Sequence, residues 1–181
     1  MEHKGTVTLE TERLILRRFK AADLEQIYYN CWQHYDVWKW TNYAPMNCLA
    51  DVIDKANMFT PKWLSYERKD RYSWAIALKD PGIVIGRMFG MHPNNHQVEL
   101  AYELSPDHWR QGLMTEAAGV TIDFFLREVG LQRVYAYHAD QNPASGRVMQ
   151  KCGMIFEGIE PQGCTCNAGN FDRVNYAIYS R

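Results

Sequence analysis

The densest chemistry in the chain lies between Val98 and Ala117. A strand-like alternation there passes through Ser105-Pro106-Asp107-His108-Trp109-Arg110-Gln111-Gly112 into a helical pattern. A helix N-terminus presents N–H groups with no acceptor inside the helix, together with a partial positive charge. A phosphate set there gains about 0.3–1 kcal/mol from the helix dipole, and about 2 kcal/mol where it is partly buried. Gly112 lets the backbone approach an anion closely, and Arg110 adds a side-chain cation. The stretch is a candidate phosphate cradle built from main-chain amides. It also reads as an ordinary strand-to-helix turn with a permissive glycine.

Other chemistries lack their residues. The sequence holds no GxGxxG for a dinucleotide, no GxxxxGK[ST] for a nucleoside triphosphate, no GxSxG elbow and no HExxH. None of the six histidines sits at metal-ligand spacing with another, so no metal is expected. Cys31, Cys48, Cys152, Cys164 and Cys166 are odd in number and irregular in spacing, which suits free thiols in a reducing cytosol. Cys164-Thr165-Cys166 is the one close pair and reads as loop thiols. Twenty Lys and Arg against twenty-one Asp and Glu leave a net charge of −1, which does not favour a nucleic-acid partner. Met1 to Gly5 is no signal peptide, and no run of eighteen apolar residues reaches the length of a membrane span. The expectation is a soluble cytoplasmic protein.

The elements that must position the loop follow from periodicity. With 181 residues, 46% of them apolar, the chain suits one domain and buries about 70% of its unfolded surface. We place a short extension at residues 1–10 and a single domain at 11–181. Leu14 and Leu16 alternate within a strand over Thr11–Phe19, and Leu24, Ile27, Tyr28 and Cys31 fall on one helical face. A second helical stretch starts near Leu49 and reaches Pro61. Ser73–Leu78, Ile83–Met91 and Val98–Leu104 read as three strands joined by turns at 79–82 and 92–96. A helix follows over Met114–Val129, with Gly130 just past its end, and then a strand over Leu131–Ala139. Asn142-Pro143 opens a short helix that Gly153 closes. Met154–Phe156 and Arg173–Tyr179 read as the last strands. This order predicts a mixed α+β sheet.

The strand–loop–helix, the Gly130-Leu131-Gln132-Arg133-Val134 stretch, the run from Asp140 to Met154, Glu157-Gly158 and the closing Gly169–Tyr176 occur in the order seen in one family. Together they resemble the GNAT superfamily of acyl-CoA-dependent N-acetyltransferases. The opening Thr11-Glu12-Arg13-Leu14-Ile15-Leu16-Arg17, with Asp23 downstream, resembles its branch of RimJ/RimL ribosomal-protein N-terminal acetyltransferases. The resemblance implies the acyl-CoA N-acyltransferase fold, a mostly antiparallel central sheet flanked by helices. It implies acetyl-CoA as co-substrate and an amine as acceptor; a homodimer is common in the family, and the sequence itself leaves the oligomeric state open.

Residue by residue, the resemblance gives the amides of Gln111, Gly112, Leu113, Met114 and Thr115, beside Arg110, to the diphosphate. Met114 stands where the family usually has Gly or Ala. Leu100, Ala101 and Tyr102 lie on a strand that splays from its neighbour to admit the pantetheine arm, with Ala101 where a Gly often marks a bulge. Asn142 matches an Asn that helps hold that arm, and equally suits a helix N-cap. Ser145 matches a Ser near the thioester sulfur and becomes the candidate general acid, Met149 standing where other members have Tyr. It also suits the first turn of a helix. Glu99, and Glu103 on the same face by period-two counting, are the candidate bases; both also suit a surface strand. A Glu that some members carry near Pro161–Cys166 is absent, with Cys164 near its place. Tyr35, Trp38, Trp40 and Trp74, with Trp32, Tyr43 and Trp63, are read either as an acceptor pocket or as rings packing a helical layer. Asp36, Asp51 and Asp54 are the carboxylates offered to an amine. Two rivals stay open, a silent CoA-binding module on the same fold and a thiol redox protein using Cys164 and Cys166.

Overall fold

Leu14 and Leu16 point to one side of the sheet and are fully buried, while Ile15 and Arg17 face the other side. That alternation recurs across the sheet and divides the core in two. The computed structural model describes residues 2–53, 69–94 and 96–180. Its strands are β1 (Leu9–Glu10), β2 (Leu14–Arg17), β3 (Tyr72–Leu78), β4 (Val84–Met91), β5 (Gln97–Leu104), β6 (Arg133–Ala139), β7 (Ile155–Cys166) and β8 (Gly169–Tyr179). They form one sheet in the order β1-β2-β3-β4-β5-β6-β8-β7. Every pairing is antiparallel except β5 with β6. The short β1 means that Leu9 and Glu10, at the end of the expected extension, pair with β2.

Helices cover both faces. On one lie α1 (Asp23–Ile27), which continues as a π-helical turn over Tyr28–Trp32, and α2 (Tyr35–Trp38). Residues 49–53 are helical and form α3; the remainder of the expected stretch to Pro61 lies outside the described residues. Ile27, Cys31, Trp32, Trp38 and Val52 pack there on Ala75, Ala77 and Val84. On the other face lie α4 (Leu113–Asp123), extended by a π-helical turn over Phe124–Val129, and α5 (Pro143–Lys151). They bury Ala117, Phe124, Phe125 and Met149 against Trp74, Ile76, Met88, Leu100 and Val134. Among the described residues no helix is long and apolar enough to cross a membrane.

The largest departure from the sequence expectation is the C-terminal hairpin. The sequence predicts a short strand at Met154–Phe156, yet β7 spans Ile155–Cys166. Gly158, Pro161 and Gly163 read as breakers, but β7 is the edge of the sheet and absorbs them in irregularities at Phe156/Gly158 and Glu160/Cys164. Cys164 and Cys166 are therefore buried strand residues and not loop thiols.

Candidate active site

The site begins where two strands part. β5 pairs with β6 only at Gln97, Val98 and Glu99, while it stays paired with β4 as far as Leu104. β6 meanwhile keeps its register with β8 along its whole length. A wedge opens between β5 and β6, and a cleft of about 1300 Å³ runs through it from the start of α4 to the α1/α2 face. No bulge produces the splay: Ala101 pairs in register with Phe89.

The loop at the mouth of the wedge is braced. Gly112 sits at the N-cap of α4 with φ 79°, a left-handed conformation that costs an L-residue about 1–2 kcal/mol. The Glu116 amide makes the helical bond to the Gly112 carbonyl at 3.0 Å, so the amides of Leu113, Met114 and Thr115 precede the first i−4 acceptor. The lead-in to β2 holds this turn. Arg13 Nη1 donates to the Gln111 carbonyl at 3.0 Å and Arg13 Nε to Glu116 Oε2 at 2.8 Å. The Arg13 amide donates to Glu116 Oε1 at 2.9 Å, and the Thr11 hydroxyl donates to the same oxygen. Burial pulls the Glu116 carboxyl upward, but the bonds from Thr11 and Arg13 outweigh it and leave the carboxyl below its usual range. Sequence reasoning missed this brace. Its signal was Thr11-Glu12-Arg13, with nothing in the sequence to name the partner. Met114 is 7% exposed and packs into the core cluster while also lining the cleft. Arg110 is exposed, with φ 62°.

Two polar groups face each other across the wedge on the α5 side. Tyr102 reaches from β5 to the first turn of α5, its hydroxyl 2.9 Å from Ser145 Oγ and 3.2 Å from the Ser145 carbonyl. Burial drives the Tyr102 phenol well above its ordinary value, so it stays protonated and able to donate. Asn142 occupies the N-cap position of α5 but makes no side-chain capping bond, and the residue lines the cleft. Gly146 is required by packing, because a Cβ there would stand 2.5 Å from His138 Nε2.

On the opposite face Glu99 and Glu103 have different surroundings. Glu103 Oε1 accepts from Arg87 Nη2 at 2.8 Å and Oε2 from Trp32 Nε1 at 2.8 Å, all three residues being buried. Both of its oxygens are engaged. Glu99 lines the cleft at 7% exposure. Burial raises its carboxyl above the usual range, against the charges of Arg173 and His92 and a hydrogen bond with Tyr135. A desolvated carboxylate with a raised pKa is the type of group that accepts a proton near neutral pH.

A braced helix N-terminus opening onto a splayed parallel strand pair agrees with what comparison finds. The chain matches the family described as "Acetyltransferase (GNAT) domain" over residues 13–155. It belongs to the GNAT acetyltransferase family. An uncharacterized N-acetyltransferase, YoaA of Bacillus subtilis, is 30% identical over 173 residues, covering 94% of this chain and 95% of that one. The ribosomal-protein-S5-alanine acetyltransferase of Vibrio fischeri shares the fold with a TM-score of 0.83 at 18% identity, over 96% of this chain and 97% of that one. So does the microcin C7 self-immunity acetyltransferase MccE, solved with acetyl-CoA and AMP, with a TM-score of 0.81 at 16% identity over 93% of each chain.

In this GNAT chain the aromatic candidates divide. Trp38 and Trp40 line the cleft, as do Trp32 and Tyr43. Trp38 is also core, donating through Nε1 to the Trp32 carbonyl, and Trp40 meets Phe171 edge-on at 5.5 Å. Trp74 does not belong with them. It is fully buried on the α4 face among Tyr72, Phe124 and Phe125, and its Nε1 donates to the Val7 carbonyl, because the pleat turns even-numbered β3 residues away from α1. Tyr35 is half exposed and outside the cleft. Trp63 and Asp54 lie outside the described residues. Asp36 lines the cleft, whereas Asp51 accepts from the amides of Asn47 and Cys48. The β7–β8 hairpin lines the cleft through Cys164, Thr165 and Arg173. Asn167 donates through Nδ2 to the Trp38 and Tyr43 carbonyls at 2.9 and 2.8 Å, and its amide donates to the Thr41 carbonyl. Cys164 and Cys166 are free and buried, and burial pushes the Cys164 thiol up, away from thiolate character.

Proposed function

We propose that this GNAT acetyltransferase moves the acetyl group of acetyl-CoA directly to a primary amine, on a protein N-terminus or a small molecule. The observation that carries the reading is the braced loop at Gly112 opening into a wedge with hydroxyls on one face of the sheet and a desolvated carboxylate on the other. The amides of Gln111, Gly112, Leu113, Met114 and Thr115, with Arg110, would hold the diphosphate; Leu100, Ala101, Tyr102 and Asn142 would flank the pantetheine arm. When bound, acetyl-CoA supplies an acyl carbon activated as a thioester. Glu99 takes the proton that makes an ammonium nucleophilic. Ser145 Oγ holds the proton that the departing thiolate needs, and Tyr102 Oη, 2.9 Å away, stands behind it as a second donor. Glu103 keeps Trp32 and Arg87 in place.

The RimJ/RimL-like reading is supported by Thr11–Arg17, whose Thr and Arg brace the loop, and by the likeness to the S5-alanine enzyme. Five free cysteines suit a reducing cytoplasm.

Titrating acetyl-CoA while following Tm, then assaying thiol release over a panel of amines, tests the proposal. A rise in Tm together with release is expected, since a ligand that selects the folded state stabilises it. A rise without release across the panel favours a silent CoA-binding module, and an unmoved Tm overturns both.

A further inference from the structure

Arg173 on β8 is a cation that the reaction above does not use. Its guanidinium lies over the Tyr137 ring, 3.7 Å from the centroid, and both residues line the cleft. Its Nε is buried and bonds to nothing, and among the described residues it forms no ion pair. Arg87, which also lines the cleft on this face, is spent on Glu103. The pleat puts Arg173 and Glu99 on the same side: Glu99 pairs with Tyr135, Tyr137 lies two residues on, and Ala139 pairs with Arg173. Arg173 is also close enough for its charge to act on the Glu99 carboxyl.

A guanidinium held over a ring with an N–H that has no partner offers a donor to a planar anion. A buried donor without a partner is costly, and a ligand that supplies the partner removes that cost. Resting on the acetyltransferase reading, we propose that the acceptor is an amine that also bears an anionic group, a carboxylate or a phosphate, which Arg173 binds while the amine faces Glu99. Simple polyamines and neutral alkylamines lack the group that this site is built to hold.

The test compares matched pairs: L-phenylalanine with phenethylamine for the carboxylate, and O-phosphoethanolamine with ethanolamine for the phosphate. With CoA present, the anionic member of at least one pair should raise Tm and the neutral member should not. With acetyl-CoA, the same member should show a kcat/KM at least about tenfold higher; the pair that discriminates more strongly names the anion. Arg173→Gln should collapse that ratio toward one, and Arg173→Lys, which keeps the charge without the fork, should restore part of it. Equal responses within both pairs, in Tm and in turnover, overturn the anion site, as does an Arg173→Gln variant that keeps the preference. The Tm shift with acetyl-CoA alone is read separately. If it is present without discrimination, only the anion site falls; if it is absent, the transferase reading falls first.

Discussion

At the scale of single residues, the two strand glutamates show how identical side chains two pleats apart acquire different chemistry. Period-two counting put Glu99 and Glu103 on one face, and they are there. The sequence could not say that Arg87 and Trp32 would take both oxygens of Glu103, because that depends on which helix crosses β4 and β5. If Glu99 is the base, kcat/KM should fall as pH drops through a pKa above the ordinary carboxylate range. Its cause is burial, and the active form is the ionised one present above that pKa. Glu99→Gln should remove this acid limb and cost about 100-fold in rate; an unchanged limb would assign the proton to water. On the other face, Ser145→Ala should lower kcat more than it raises KM for acetyl-CoA. Tyr102→Phe should lower kcat less, since Oη acts through Oγ, whereas an equal loss in both variants would point to Tyr102 as the direct donor.

At the scale of elements, periodicity was informative wherever a strand or helix had one clean buried face. β3, β4, β5, α4 and β6 appear within a few residues of their expected bounds. It failed where function and edge position distort the pattern. β7 looks interrupted because an edge strand tolerates Gly and Pro that a central strand rejects. Trp74 stays open between pocket ring and packing ring in the sequence, because a sequence does not say which side of its strand borders the cleft. The brace between the β2 lead-in and α4 spans about a hundred residues and was invisible for the same reason. That brace makes a testable claim. Gly112→Ala should cost about 1–2 kcal/mol of stability through its left-handed φ, and should raise KM for acetyl-CoA. Glu116 has a folded pKa below its unfolded value, so its contribution is present above about pH 4 and is lost as pH falls through the folded value. The Tm advantage of wild type over Glu116→Gln should therefore be seen at neutral pH and vanish in acid. A constant difference across that range would mean that the carboxylate charge is not what braces the loop.

At the scale of the whole molecule, the sheet acts as a partition. The Gly112 loop, α4 and α5 lie on one face, where Ser145 and Tyr102 meet; Glu99, Arg173 and the aromatic residues after α1 lie on the other. The wedge between β5 and β6 is where the two sides communicate. The long β7–β8 hairpin belongs to the proposed acceptor side, because its tip bonds to the segment at and after the end of α2 through the Asn167 side chain and through the Asn167 and Ala168 amides. Asn167→Ala removes two hydrogen bonds, each contributing about 0.5–1.5 kcal/mol, that tie the hairpin tip to the Trp38 and Tyr43 carbonyls. Its KM for the amine should rise about fivefold or more, while the Tm shift given by acetyl-CoA stays as in wild type. Gly112→Ala should do the reverse, weakening acetyl-CoA and sparing the amine KM. If both variants weaken both substrates equally, the two half-sites are coupled through the strands themselves, and the partition is not how this fold keeps donor and acceptor apart.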